Sequence, residues 1–221
     1  MTGGGAPQSG SRRRPRAAPL SREALVAATV RIADGQGSGA VTMRRLGAEL
    51  GVDPTAVYRH FGSKDELLQA AADWLVAGAF EGYEPRGEWA DDLRAMIIHI
   101  RRRYLRHPEL LRLVATARGP VRSEPGATDR VLGMLRDGGL PPEDVVPAFE
   151  VLQDYLIGFT VLDAGSLGQS PDEWRRAFHD VAPAAYPHLA ASVDALYQDA
   201  EARFGYGLDL LIESLERRRT R

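Results

Sequence analysis

Residues 42–61 read Thr-Met-Arg-Arg-Leu-Gly-Ala-Glu-Leu-Gly-Val-Asp-Pro-Thr-Ala-Val-Tyr-Arg-His-Phe. Two short helices joined by a glycine turn account for every position in this stretch. Thr42 is an N-cap candidate, and Met43, Leu46, Ala48 and Leu50 fall at helical spacing before Gly51, which takes a backbone conformation closed to bulkier residues. Asp53-Pro54 then opens a second helix with a cap followed by proline at the first helical position, and this helix is expected to reach Phe61. Two helices crossing this closely need a small residue at the contact, a role that Ala48 is expected to play, with Val52 and Val57 filling the corner. Pro54, Thr55, Tyr58, Arg59 and His60 remain on the outer side of the second helix, with methyl, hydroxyl, imidazole and guanidinium groups suited to base edges and phosphates.

Helical signals continue on both sides. Upstream, Ser21 caps a helix carrying Leu25, Ala28, Ile32 and Ala33, which Gly35, Gly37 and Gly39 stop. Those glycines form a GxGxG string, but a dinucleotide loop must follow a strand and this one follows a helix. Downstream, Ser63 and Glu66 form a capping box that opens a helix through Leu67, Leu68, Ala71, Leu75 and Ala79. Longer helices are expected at about 88–107, 108–118, 125–137, 142–165, 171–181 and 192–218, with a break near residues 81–87. No segment alternates as a strand does, so the fold class is all-α. Residues 1–19, with Gly3-Gly4-Gly5 and Ser11-Arg12-Arg13-Arg14-Pro15-Arg16, carry no periodic apolar spacing and read as a disordered arginine-rich arm.

Composition narrows the chemistry. The 221 residues are 44% hydrophobic and 26% charged, the range of an ordinary globular chain. With no cysteine, disulfides, Cys-ligated zinc, iron–sulfur clusters and thiol nucleophiles are excluded. His60, His99, His107, His179 and His188 show no metal-binding pairing, and neither a GxSxG elbow nor a phosphate loop is present, so no metal, cofactor or catalytic site is expected. The most apolar stretch, Val145 to Leu162, carries Glu150 and Asp154, which argues against a membrane span and for a cytoplasmic protein.

The net charge of −2 hides an asymmetry. Residues 12–70 hold ten basic and six acidic groups, and residues 71–221 hold 18 and 24. All four surplus positive charges lie in the arm, so the folded part of the basic end is neutral by count, and any attraction to DNA must come from which face its charges occupy. We expect the arm to add phosphate or minor-groove contacts. Of the 28 basic residues only Lys64 is a lysine.

From Leu20 to Leu68 the chain resembles the DNA-binding domain of the TetR family of bacterial one-component transcription regulators. The likeness is closest at Thr42-Met43-Arg44-Arg45-Leu46-Gly47 and at Gly51-Val52 through Tyr58-Arg59-His60-Phe61-Gly62-Ser63-Lys64-Asp65-Glu66-Leu67-Leu68. Phe149 to Gly165 and Phe204 to Glu216 are more weakly similar to the last two long helices of actinobacterial members. The resemblance implies a three-helix helix-turn-helix domain over 20–68 and a C-terminal helical bundle over 69–221 that binds a small effector and dimerises through a four-helix interface. It implies that Thr42 and Arg44 meet the DNA backbone, with Arg44 also within reach of a guanine edge. Pro54 and Thr55 would touch base edges or thymine methyls, Tyr58 and His60 would hydrogen-bond phosphates, and Lys64 would bind a phosphate at a helix N-terminus. Arg59 is carried as a further DNA contact.

The helix expected at 142–165 and the last helix are apolar around most of their circumference, so each must be covered on more than one side. Phe149, Leu152, Tyr155 and Leu156 on the first, and Phe204, Leu208, Leu211, Ile212 and Leu215 on the second, are the candidates for a dimer interface. A dimer would set two recognition helices roughly 34–36 Å apart on a near-palindromic operator. The candidate effector contacts are His99, Tyr104, Gln153, Asp154, Phe159 and Trp174, polar or aromatic groups on apolar faces that suit a small, largely hydrophobic molecule. The expected function is a ligand-responsive repressor that leaves its operator when the effector binds. A DNA-binding regulator without an effector stays open, and an α-helical enzyme is the remote alternative.

Overall fold

The computed structural model describes residues 20–85, 87–116, 125–165, 176, 178, 184–195 and 199–219, and no strand occurs among them. The arm, the helix expected at 171–181 apart from residues 176 and 178, and Trp174 lie outside the described residues.

Local chemistry accounts for the first four helices. The Ser21 hydroxyl caps α1 (Arg22–Gln36) by accepting from the Ala24 N–H, and Gly37 ends it at φ 82°. α2 (Met43–Leu50) starts on Thr42 and stops at Gly51, which sits in the left-handed region at φ 67°. α3 (Pro54–Tyr58) is capped by Asp53 and is shorter than expected, ending before Phe61. Ser63 caps α4 (Lys64–Ala77) through the Glu66 N–H, while the Glu66 carboxylate reaches back to the Gly62 N–H at 2.8 Å, one residue before the cap.

The larger body comprises α5 (Trp89–Arg106), α6 (Pro108–Thr116), α7 (Pro125–Asp137), α8 (Pro142–Gly165), α9 (Pro187–Ser192) and α10 (Ala200–Arg219). The last long helix starts at residue 200 instead of 192. Residues 187–195 form a separate short helix and 3-10 turn, and Asp199 supplies a fresh cap by accepting from the Ala202 N–H at 3.1 Å. At the far end, Arg218 pairs with Asp144 of α8 at 2.7 Å and Arg219 lies over the Trp89 ring, fastening α10 to α8 and α5.

One apolar core runs through both parts of the chain. α4 is continuous across residues 68–69 and packs on both α1 and α6, while α6 packs on α1 and α8 as well. By length and hydropathy, 1.4 on average, α8 could cross a membrane, but here it packs against α5, α6, α7 and α10. Its opposite faces have different surroundings. Leu152 and Leu156 are buried against the subunit's own core, whereas Val151 and Leu162 are 52% and 69% exposed.

Candidate DNA-binding head and effector cavity

The crossing of α2 and α3 is set by Gly47, where Ala48 had been expected. A Cβ at Gly47 would lie 2.7 Å from the Val52 carbonyl oxygen and 3.2 Å from the Pro54 nitrogen, whereas Ala48 is exposed. Val57 is buried and Val52 half-buried in the corner, as their positions required. The turn is further tied by the Val52 N–H donating to the Gly47 carbonyl at 2.8 Å. Asp53 Oδ1 accepts from the Thr55 N–H at 2.8 Å and from the Thr55 hydroxyl at 2.7 Å. Those two bonds hold the Asp53 carboxyl below its ordinary pKa and occupy the Thr55 proton, leaving the Thr55 methyl as its free feature.

Every residue expected to meet DNA keeps surface. Thr42, Arg44, Thr55, Tyr58 and Arg59 are exposed, and Pro54, His60 and Lys64 are half-buried. Two additions emerge. Arg22 donates to the His60 carbonyl and to Glu66 (3.3 Å), and its guanidinium lies 4.0 Å from the centre of the Phe61 ring. It thereby pins the segment after α3 to α1. Lys64 Nζ donates to the Gly39 carbonyl at 3.3 Å, so this lysine also ties the start of α4 to the α1–α2 connection.

Charge pairing decides which of the head's cations stay free. Arg22 pairs with Glu66, Arg31 with Glu49 at 2.8 Å, and Asp34 with His107 at 2.8 Å. Arg44, Arg45, Arg59 and Lys64 form no ion pair within 4 Å among the described residues, although Arg59 is near enough to Asp53 to help lower its pKa; Arg45 bonds instead to the Gln36 side-chain oxygen at 2.7 Å. All four cations lie on α2, at the end of α3 or at the start of α4.

The second feature is a cavity of about 90 Å³ between the end of α4, α5, α7 and α8. Met96, Ile97, Ile100 and Tyr104 of α5, Val131 of α7, Phe149, Leu152 and Leu156 of α8, and Val76, Ala79 and Phe80 give it mostly apolar walls, with Thr128 and Gln153 as further polar groups. Of the expected effector contacts it includes Tyr104 and Gln153. His99 is held elsewhere, its Nε2 2.9 Å from the Glu81 carbonyl oxygen and its ring near Tyr83. Asp154 faces outward, and Phe159 stacks in a cluster with Tyr155 and Phe204.

The expected interface set divides three ways. Phe149, Leu152 and Leu156 line the cavity. Phe204, Leu208 and Ile212 are at most 1% exposed and have no surface left for a partner, while the Tyr155 hydroxyl donates to the Phe204 carbonyl at 2.6 Å. Leu211 and Leu215 line an outer groove with Pro147 and Val151. Both helices are apolar all round, so spacing alone left open which face turned outward. The cavity face is in fact written in the sequence, as Phe149, Leu152, Gln153 and Leu156 at i, i+3, i+4, i+7.

Between α5, α8 and α10 sits an ion cluster with a buried centre, Arg101 and Asp163, and two exposed outer members, Glu201 and Arg203. Arg101, 2% exposed, donates to Asp163 at 2.6 Å and to Glu201, and lies 4.5 Å from the Phe204 ring centre, while Arg203 reaches Asp163 at 3.2 Å.

Comparison with known proteins places the fold in a family. Residues 25–71 match the family model for bacterial regulatory proteins of the tetR family, and residues 81–219 match that for the tetracyclin repressor-like C-terminal domain. The transcriptional repressor DrrR1 of Streptomyces coeruleorubidus is 29% identical over 92% of this chain and 81% of its own length. The class C tetracycline repressor of Escherichia coli is 26% identical over 90% and 92%. Apo ActR of Streptomyces coelicolor superposes with a TM-score of 0.78 at 27% identity, covering 92% of this chain and all of that one. ActR in complex with actinorhodin gives 0.77 at 28% identity, over 90% and 97%. With both its halves matched, one as the DNA-binding head and the other as the effector domain, the chain belongs to the TetR family of bacterial transcription regulators.

Proposed function

We propose that the protein is a cytoplasmic repressor, nucleoid-associated when bound, that grips a palindromic operator as a homodimer and releases it when a small, largely hydrophobic effector enters the cavity. The observation that carries the DNA part is the set of four cations without an ion pair among the described residues, gathered on and beside α2 and α3. Thr42, Arg44, Tyr58, His60 and Lys64 serve the backbone, and Pro54 and Thr55 serve base edges, with the Thr55 methyl suited to thymine. Arg59 adds a cation at the end of the recognition helix. DNA binding by Arg44→Ala and Arg59→Ala tests the assignment: each substitution removes a contact at both half-sites of the dimer, lowers affinity and reduces the slope of log K against log salt by about 2. Unchanged slopes in both would sink it.

The dimer forms through the outer faces of α8 and α10, where Val151, Leu162, Tyr206 and Leu210 expose 52%, 69%, 70% and 49% of their surface. Pro147, Val151, Gly158 and Leu162 follow one stripe of α8, opposite the cavity face.

Effector and DNA communicate along α4. Its 14 residues span about 20 Å, with Lys64 at the DNA end and Val76 at the cavity wall. α6 grips the other side of the head. Glu109 accepts from the N–H and hydroxyl of Ser38, both at 3.3 Å, and His107 both pairs with Asp34 and meets the edge of Trp74. A cavity of about 90 Å³ is smaller than the roughly 300–1,000 Å³ of drug-sized sites, so a larger effector must part the helices around it. A hundredfold fall in operator affinity requires about 3 kcal/mol of preference for the parted form, within reach of a few buried contacts.

A further inference from the structure

The cavity contains a polar group without a partner. Tyr104 is 5% exposed and lines the cavity, yet its hydroxyl forms no hydrogen bond with any of the described residues. The other inward-facing hydroxyls are satisfied within the chain: Thr29 and Thr160 both donate to carbonyls one helical turn back, and Tyr155 donates to Phe204. Thr128 and Gln153, the other polar groups on the walls, are likewise without a hydrogen-bond partner among the described residues. No charged side chain lines the cavity at all. Neither nearby cation is among the lining residues: Arg103 pairs with Glu81, donates to the Leu75 carbonyl and lies over Trp74, with its buried Nη2 left unpartnered among the described residues, and Arg130 lies over Phe80.

On the reading that this cavity is the effector site, we infer that the effector is an uncharged, mostly apolar molecule that presents a hydrogen-bond acceptor, such as a carbonyl oxygen, to the Tyr104 hydroxyl. Burial pushes the Tyr104 pKa up to about 12, so the group stays protonated in the cell and donates. An anion or cation would lose its hydration on entry and find no opposite charge on the walls. A purely apolar molecule would enter but leave the donor unmet. Gln153, exposed at the rim, is placed for a second polar group at the outer end of the same molecule.

Single-ring probes suit a void of this size, and three of nearly equal shape separate the cases: acetophenone, a neutral acceptor; isopropylbenzene, its apolar counterpart; and benzoate, its anionic counterpart. Their binding to the full chain is measured by ligand-observed NMR for wild type, Tyr104→Phe and Ala127→Phe, the last placing a ring at the cavity wall near the start of α7. Acetophenone should bind wild type about threefold to tenfold more tightly than isopropylbenzene, and benzoate more weakly than either. Tyr104→Phe, which removes one oxygen and keeps the ring, should erase the advantage of acetophenone and leave isopropylbenzene within twofold. An advantage that survives Tyr104→Phe, or benzoate binding as well as acetophenone, overturns the inference. Ala127→Phe tests the cavity itself. If it blocks all three probes while Tyr104→Phe changes nothing, only the anchor falls; if the probes ignore Ala127→Phe, or bind none of the proteins, the cavity is not the effector site and both readings fall.

Discussion

Replacing Gly47 with alanine adds a single methyl group, and the structure indicates where the strain goes. The new Cβ lies 2.7 Å from the Val52 oxygen, 3.2 Å from the Pro54 nitrogen and 3.4 Å from Pro54 Cδ. These are main-chain and ring atoms, so no side-chain rotation relieves the contact, and α3 must move away from α2 by several tenths of an ångström. Overpacking of this kind costs about 1–3 kcal/mol, while alanine recovers about 1 kcal/mol of helix propensity over glycine. The net loss of stability is therefore about 0–2 kcal/mol, or a fall in Tm of at most about 8 °C for a chain of this size. DNA affinity responds more strongly, because the displaced element carries Pro54, Thr55 and Tyr58, and the displacement occurs in both subunits. About 1 kcal/mol of lost contact per half-site lowers operator affinity about thirtyfold. The assay is fluorescence anisotropy on a duplex selected from random sequence by the wild-type protein, alongside thermal melting. Ala48→Gly is the control: on an exposed site it sacrifices about 1 kcal/mol of helix propensity and leaves the crossing alone. The reasoning fails if Gly47→Ala binds within threefold of wild type, or if Ala48→Gly is the variant that loses the operator.

Other perturbations probe the body and the caps. Asp163→Ala strands the buried Arg101 with Glu201 as its one remaining carboxylate and should cost about 3–5 kcal/mol in urea unfolding, whereas Arg203→Ala, at a side chain 42% exposed, should cost under about 1 kcal/mol; equal losses would contradict the ranking. Leu210→Asp, on the outer face of α10, should shift the protein from dimer to monomer in sedimentation without lowering the melting temperature of the subunit, and an intact dimer would place the interface elsewhere. Glu23 is held below its ordinary pKa by its own backbone N–H and the Ser21 hydroxyl, Asp53 by Thr55, and Glu66 by the Gly62 N–H and then Arg22. Depressed carboxyls contribute stability that is complete above their unfolded values and is lost as pH falls through the folded ones, so the head should weaken below about pH 4. Glu66→Gln should flatten that acid limb in melts recorded from pH 3 to 6, and an unaltered limb would show that the Gly62 and Arg22 bonds do not contribute.

What the sequence revealed follows the range of the interactions concerned. Ser21, Thr42, Asp53 and Ser63 cap the helices they were expected to cap, because a cap depends on the three residues that follow it. Gly51 ends α2 for an equally local reason, a positive φ. The crossing residue could not be fixed in this way: Gly47 and Ala48 are adjacent and both small, and only the approach of Val52 and Pro54 separates them. The last helix was placed too early because apolar spacing continues through residues 192–199, while the Asp199 cap that starts α10 carries no stronger signal than any other aspartate. On α8, helical spacing identified the faces without saying what each faced, so Phe149, Leu152 and Leu156 were assigned to a partner when they face the cavity. The search for effector contacts favoured polar side chains and so included His99 and Asp154, while passing over Ile97, Ile100 and Phe80, which form the walls.

Charge shows the same limit most clearly. By count the folded head has six cations and six anions, and nothing in their order marks a surface for DNA. Folding removes opposite charges in pairs chosen by geometry: Arg22 with Glu66 across 44 positions, Arg31 with Glu49 across 18. Each pair lies between helices, where it fixes how one element sits on another. The cations left over are those without an ion pair among the described residues, although Arg45 and Lys64 still bond to Gln36 and to the Gly39 carbonyl, and all four fall on or beside the two short helices quoted at the outset. A polyanion is attracted to this residue of charge, not to the sum, which is why a domain of zero net charge can carry a phosphate-binding face. Pairing removes equal numbers of each sign, so the sum stays where it was while the distribution changes: two of the six cations, Arg22 and Arg31, are held between helices, and the other four lie on or beside α2 and α3.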